Sequence, residues 1–448
     1  MRPRQTRTRS VRGTAHLVTR RVTQNRRRPE WLQATPIDGP CRLPPTVWRF
    51  GSEPQSKGCD AGDAQIAEPP SAVTATVSWR KKVASRIADA LFDRRQRLKR
   101  TYLTRVAGEL VGVDQRLKCF VDGSGEFAVA RNNSRMAIAV TETPVDGSYL
   151  VLKSGTDVAS RRELDVETAC LSQIRSDLLG SGFLAYLPER IVAQPDGPLP
   201  FIVYASPSRY TALDVARAGG LDEDLITDAL DTVRRLKEET SVIATADPSL
   251  IERTVGRRVD VIREQWGGAF FWREDQSRLN VLRRELVASL EGCRVEQGWQ
   301  HGDFSLGNVL IDPVRRRVAG IIDWGGSASD EIVGVDPSLF ALSVFAFRTS
   351  TDVNASVARL VKVLASPTER SEDERRVIER MKEAWPTTQD LTLMQGLVVT
   401  WLYHVAHLFK IRSPNVLAPG HWVQRESSRA LRAVVEWGIP NLRAGFRS

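Results

Sequence analysis

His301, Asp303 and Asn308 stand within eight residues of one another in GWQHGDFSLGNVLID (298–312), and Asp323 follows in VAGIIDW. Asn308 leads into an apolar segment, VLID; PVRRR then turns the chain, and VAGIID returns to Asp323, fifteen residues after Asn308. This pattern predicts a short hairpin whose open end brings Asn308 and Asp323 side by side. One amide oxygen and one carboxylate, converging with substrate phosphates, is the usual way that Mg²⁺ is held. Asp303, just upstream on the loop, is left to accept a proton from a substrate hydroxyl or to orient it. Phosphoryl transfer needs mainly positioning and charge neutralisation, so these residues suffice for one half of a site. Asp and Asn also serve as turn formers, but that explanation covers either residue alone and not three elements at fixed spacing.

The second half needs a cation for the phosphates. SYLVLKSG places Lys153 inside an apolar strand, where a lone ammonium is costly to bury without a partner. Fourteen residues later, Glu167, Leu171 and Ile174 share one helix face, with Glu163 one turn earlier as the competing partner. Around these residues the chain changes character twice. SWRKKVASRIADALFDRRQRLKRTYLTRVAGELV carries helical spacing at Val83, Ile87, Ala90 and Leu91. LKCFV, EFAVA, MAIAV and YLVLK then read as strands separated by turn formers, which predicts an antiparallel meander. A helix over 161–179 and a strand in LPFIVYAS follow, and from about 210 the pattern is mostly helical apart from the 309–322 hairpin. The expected fold class is α+β and bilobal, protein-kinase-like, with a small antiparallel β-rich N-lobe and a larger, mainly α-helical C-lobe. The expected boundaries are a basic tail at 1–82, an N-lobe at 83–205 and a C-lobe at 206–448.

HGDFSLGN followed by IIDW closely resembles the H-G-D-x-x-x-x-N and D-W motifs of the aminoglycoside phosphotransferase and choline kinase-like superfamily, over roughly residues 115–410. The resemblance implies that Asp303 is the catalytic base or positioner and that Asn308 and Asp323 bind Mg²⁺. It implies that His301 and Gly302 shape the loop, His301 as a hydrogen-bonder, and that Asp336 braces it. Lys153 and Glu167 are implied to form the pair that holds the α- and β-phosphates, Glu167 being favoured because it lies four residues before a core Leu. The phosphate-covering loop is placed at Asn133 and Ser134 in RNNSR, in preference to the G-x-G of Gly123 and Gly125, which lies too far before Lys153. FIVYAS occupies the inter-lobe hinge, where the backbone around Tyr204 and Ala205 would pair with the purine. The expected activity is O-phosphotransfer from ATP or GTP, with Mg²⁺, to a hydroxyl of an aminoglycoside, a sugar or glycan precursor, or an amino alcohol. The competing class is a catalytically silent kinase-fold scaffold, linked to polysaccharide biosynthesis. Its hallmark would be loss of Asp303, Asn308, Asp323 or Lys153, and all four are present.

Bulk composition narrows the partners. The formal charge is +10, but residues 1–82 hold 16 Lys+Arg against 6 Asp+Glu, which leaves 48 of each in the remainder. The folded body therefore lacks the basic surface that nucleic acid requires. The Arg-rich tail is read as an incidental segment or an early start, as an organelle-targeting segment, or as a basic arm. Five widely spaced cysteines without C-x-x-C fit a reducing, cytoplasmic setting. LMQGLVVTWLYHVAHLF (393–409) is too short and too polar for a membrane span and reads as a buried helix. Its His404 and His407 read as polar tips of that helix, and Trp324 reads as packing for the metal-bearing turn.

Overall fold

The computed structural model describes residues 93–442 except 95, 110, 113–114, 122–126, 130–135, 195–198, 267–272, 367–368, 386–389 and 412–419. The basic tail, Asn133, Ser134 and the Gly123/Gly125 pair lie outside the described residues.

The N-terminal lobe contains helix α1 (96–109), strands β1 (Phe127–Val129), β2 (Met136–Thr141) and β3 (Tyr149–Gly155), helix α2 (Val158–Asp177), and strands β4 (Glu189–Gln194) and β5 (Phe201–Ser206). The five strands form one antiparallel sheet in the order β1-β2-β3-β5-β4. FIVYAS is mostly apolar because β5 is paired on both edges and packed on both faces. Phe201 and Val203 join one core with Leu103, Leu117, Phe120, Leu150 and Leu152. Ile202 and Tyr204 join another with Met136, Leu164, Leu171 and Ile174. The period of two decides where Lys153 goes: Leu150 and Leu152 face the α1 side, so Val151 and Lys153 face α2. That helix begins in a capping box between Asp157 and Ser160 and turns Leu164, Glu167, Leu171 and Ile174 inward.

LKCFV is not a strand. Gln115–Phe120 is a 3₁₀ helix that buries Leu117, Cys119 and Phe120. β4 was not anticipated either, because its outer position leaves ERIVAQ partly exposed and blurs the alternation.

The C-terminal lobe carries α3 (Ala212–Arg217), α4 (Glu223–Thr240), α5 (Pro248–Ile251), α6 (Arg257–Trp266), α7 (Arg273–Leu290), α8 (Val335–Arg348), α9 (Val353–Ala365), α10 (Glu372–Ala384), α11 (Leu393–Ile411), α12 (Gly420–Ala433) and α13 (Ile439–Leu442). Its strands are β6 (Val242–Thr245), β7 (Arg294–Gln300), β8 (Val309–Asp312), β9 (Arg317–Ile321) and β10 (Ala328–Ile332). β8 and β9 form the expected hairpin, with Val309 opposite Ile321. The three-stranded sheet β10-β7-β6 departs from the mostly helical expectation. Its segments, VIAT, RVEQGWQ and ASDEI, are short or polar, and inter-strand pairing rather than apolar alternation holds them. α11 runs through the main core of this lobe, with Leu397, Val398, Trp401, Leu402 and Val405 fully buried. Among the described residues, no helix is long and apolar enough to cross a membrane.

α8 delivers Asp336 and starts at Gly334, whose φ of 118° L-residues rarely adopt. A Cβ there would stand 2.8 Å from the Trp385 ring, whose Nε1 donates to Ser338 Oγ at 2.7 Å. Gly334→Ala is predicted to lower the free energy of unfolding by about 2 kcal/mol or more, read as a shifted urea midpoint. An unchanged midpoint would remove the steric argument.

Candidate active site

Two loops build the site, and both are tied at each end. The first, 301–308, leaves β7 and enters β8; the second, 322–327, leaves β9 and enters β10. Gln300 pairs with Ala328 across β7 and β10, and Ile322 N donates to Asn308 O at 3.0 Å beyond the β8–β9 ladder. Between these ties the loops nearly touch. Gly302 has φ +80°, and a Cβ on it would lie 2.5 Å from Gly326 O, so only glycine fits.

His301 is fully buried and holds both loops. Its Nδ1 accepts from Asp303 N at 3.3 Å, which leaves Nε2–H to donate to Ile322 O at 2.7 Å. Burial depresses its basicity, which favours the neutral ring that this pattern requires. Trp324 meets the ring edge-on at 4.7 Å. Below, Asp336 accepts from His301 N at 2.5 Å and Gly302 N at 2.8 Å, and its own N–H reaches Gln300 Oε1 at 3.2 Å. Burial pushes the Asp336 carboxyl up to about 7, against the pull of the N–H groups that it accepts.

Asn308 donates through Nδ2 to Asp303 O at 2.7 Å and to Asp303 Oδ2 at 2.8 Å. With the amide nitrogen committed to Asp303, the amide oxygen faces the other way. Burial raises the Asp303 carboxyl, but His407, His404 and His301 outweigh it and hold the group below its ordinary value. Asp323 adopts the left-handed region at φ 65°, ψ 55°, and its half-exposed carboxylate accepts from Lys153 Nζ. Lys153 Nζ also donates to Glu167 Oε1 at 2.8 Å, with both side chains 4% exposed. Burial works against the Lys153 ammonium, yet Asp323 and Glu167 outweigh it and raise its pKa. The same burial raises Glu167, with Lys153 opposing and Asp323 reinforcing.

The site thus collects Lys153 and Glu167 from the first lobe with Asp303, Asn308 and Asp323 from the second. Asn308 and Asp323 fit a magnesium ion that shares its coordination with phosphates and water: two oxygen donors are available, the Asn oxygen being turned away from Asp303. Among the described residues no group of three or more His, Cys, Asp or Glu forms a cage able to hold a metal unaided.

Tyr204 and Ala205 are placed otherwise than a free hinge would need. Both lie inside the ladder, opposite Val151 and Leu150 on β3 and Arg190 and Glu189 on β4. The Tyr204 ring instead packs 5.7 Å from Lys153 Nζ, and burial beside Glu167 raises its hydroxyl. His407, read from sequence as a packed tip, points into the site: Nε2 lies 3.3 Å from Asp303 Oδ2. Its only sequence signal was a histidine recurring on an otherwise apolar helix.

The model of the phosphotransferase enzyme family matches residues 214–333, which include Asp303, Asn308 and Asp323. This segment is similar to that family. The matched segment excludes Lys153, Glu167, Asp336 and His407, whose placement rests on the geometry above. The chain is similar to a crystal structure of aminoglycoside-3'-phosphotransferase of type VIII, at 16% identity over 61% of this chain and 98% of that one, with a TM-score of 0.35. It is similar to an ethanolamine kinase of Plasmodium vivax at 10% identity over 76% of this chain and 95% of that one, with a TM-score of 0.41. An aminoglycoside phosphotransferase from Streptomyces rimosus gives 16%, 70%, 95% and 0.33 for the same quantities. No curated protein matches the chain.

Removing one member of a buried ion pair costs about 3–5 kcal/mol, whereas replacing both with apolar groups is often close to neutral. Lys153→Met is therefore predicted to destabilise by about 3 kcal/mol, with Lys153→Met/Glu167→Leu recovering most of the loss in urea unfolding. A single-mutant cost below about 1 kcal/mol would show that the pair is solvated in solution.

Proposed function

We propose that the protein is a small-molecule kinase, transferring the γ-phosphoryl group of ATP or GTP to an alcohol with Asp303 as the catalytic base. The observation that carries this reading is the convergence of Lys153, Asp323, Asn308 and Asp303, drawn from both lobes, on one place. Fold likeness alone would not supply a reaction.

In this reading the acceptor hydroxyl gives its proton to Asp303 while its oxygen bonds to the γ-phosphorus. The bond from that phosphorus to the β,γ-bridging oxygen breaks, and the nucleoside diphosphate leaves with the electron pair. Lys153 exchanges the Asp323 carboxylate for α- and β-phosphate oxygens, while Glu167 keeps the ammonium in place. Asn308 and Asp323 hold Mg²⁺, which when bound neutralises charge on the phosphate oxygens. Asn308 thus serves twice, its nitrogen restraining Asp303 and its oxygen facing the metal position. Asn133 and Ser134 are assigned to cover the phosphates. Because Tyr204 and Ala205 are committed to the sheet, the purine-pairing backbone is assigned to the chain just after β5. The acceptor classes remain an aminoglycoside, a sugar or glycan precursor, or an amino alcohol.

Turnover of γ-labelled ATP and GTP against pools of these acceptors tests the assignment. Asp303→Asn is predicted to reduce transfer by about 10²–10⁴-fold while Mg·nucleotide affinity stays within about twofold. Transfer at the wild-type rate would remove Asp303 from its role.

A further inference from the structure

His407 lies on α11, outside the loop motifs and outside the family-matched segment, yet it touches the carboxylate assigned as base. Its contact is asymmetric. Asp303 Oδ2 takes both the Asn308 Nδ2 bond at 2.8 Å and the His407 Nε2 contact at 3.3 Å. A carboxylate gripped twice on one oxygen cannot rotate freely, and its other oxygen is presented in a fixed direction.

The helix that carries His407 is itself held in rotation. Tyr403 lies four residues earlier, on the same face of α11. Its hydroxyl donates to Glu331 Oε2 on β10, and Arg258 Nη2 donates to Glu331 Oε1 at 3.0 Å. The Arg258 guanidinium also lies 3.3 Å above the Tyr403 ring. Tyr403 and Glu331 are 4% and 6% exposed. A buried charged cluster of this kind is weak support for stability, because desolvation offsets much of the attraction. Its geometric consequence is definite: it pins α11 to β10, four residues beyond the loop that carries Asp323 and Gly326. The His407 ring consequently sits against Gly326, where an added Cβ would be 3.6 Å from Nδ1.

We propose that His407 is a positioning residue for phosphoryl transfer, holding Asp303 Oδ2 together with Asn308 so that Oδ1 faces the acceptor hydroxyl. The inference rests on the phosphotransfer reading, and it assigns His407 no contact with nucleotide or metal. Its N–H donor is what matters. Glutamine, whose amide can place an N–H near the Nε2 position, should substitute; leucine fills the space without donating; asparagine donates but is too short to reach.

The test uses the full chain, Mg²⁺ and γ-labelled ATP or GTP, with enzyme in excess and water as the acceptor, and with Asp303→Asn alongside. His407→Leu is expected to lower the rate of phosphate release by about 10- to 100-fold while nucleotide affinity stays within about twofold. His407→Gln is expected to return to within about threefold of wild type, and His407→Asn to remain near the leucine variant. The glutamine–asparagine comparison decides the matter even where the leucine variant fails to fold. A folded His407→Leu protein at the wild-type rate, with Asp303→Asn inactive, would overturn the positioning role and leave the phosphotransfer reading standing. Equal losses in the glutamine and asparagine variants would also overturn it. Wild-type release by Asp303→Asn would remove the phosphotransfer reading itself, and this inference with it.

Discussion

The site depends on one constraint: two loops from different hairpin arms are fastened at both ends, so neither can shift without the other. The β7–β10 pairing at Gln300 and Ala328 fixes one end, and the β8–β9 ladder with the Ile322 N–Asn308 O bond fixes the other. His301 pins the middle through Ile322 O, and Gly302 lets the loops approach closely enough for that bond. Asp303, Asn308 and Asp323 inherit their relative positions from these ties. Asp336 adds an anchor from α8, which ties the first loop to the helical core below. A site held this way keeps reacting groups in register at little reorganisation cost, which is where catalytic power in phosphoryl transfer resides.

Lys153 couples this platform to the β-sheet lobe. It is buried between two carboxylates, Glu167 from its own lobe and Asp323 from the other. The geometry makes Asp323 the exchangeable partner, since its side chain is 45% exposed while that of Glu167 is 4% exposed. In the proposed function, a phosphate arriving at the cleft would meet a cation already desolvated and aimed, together with a carboxylate that Mg²⁺ would take over.

Much of this was legible in the sequence because it lies in short-range patterns. The spacing of Asp303, Asn308 and Asp323 follows from a hairpin that alternation and turn residues announce. Lys153 on an apolar strand and Glu167 on a helical stripe follow from periods of two and 3.6. What escaped is what tertiary pairing alone creates. RVEQGWQ and ASDEI have no strand pattern of their own, yet β7 and β10 close the first tie of the site. FIVYAS showed a buried strand but not that both its edges are occupied; in the proposed function, the purine-pairing backbone is therefore assigned downstream of Tyr204 and Ala205. His407 lies ninety-nine residues beyond Asn308 in sequence, and only the path of α11 through the core brings its ring to Asp303.

The most direct measurement is calorimetric titration of Mg·ATP and Mg·GTP into the protein and into Asp323→Ala, each with and without Mg²⁺. Metal-dependent binding by the wild type that Asp323→Ala loses is expected, because in the proposed function Asp323 supplies the carboxylate of a shared metal and phosphate site. Equal, metal-independent affinity in both proteins, or no binding by folded wild type, would contradict it.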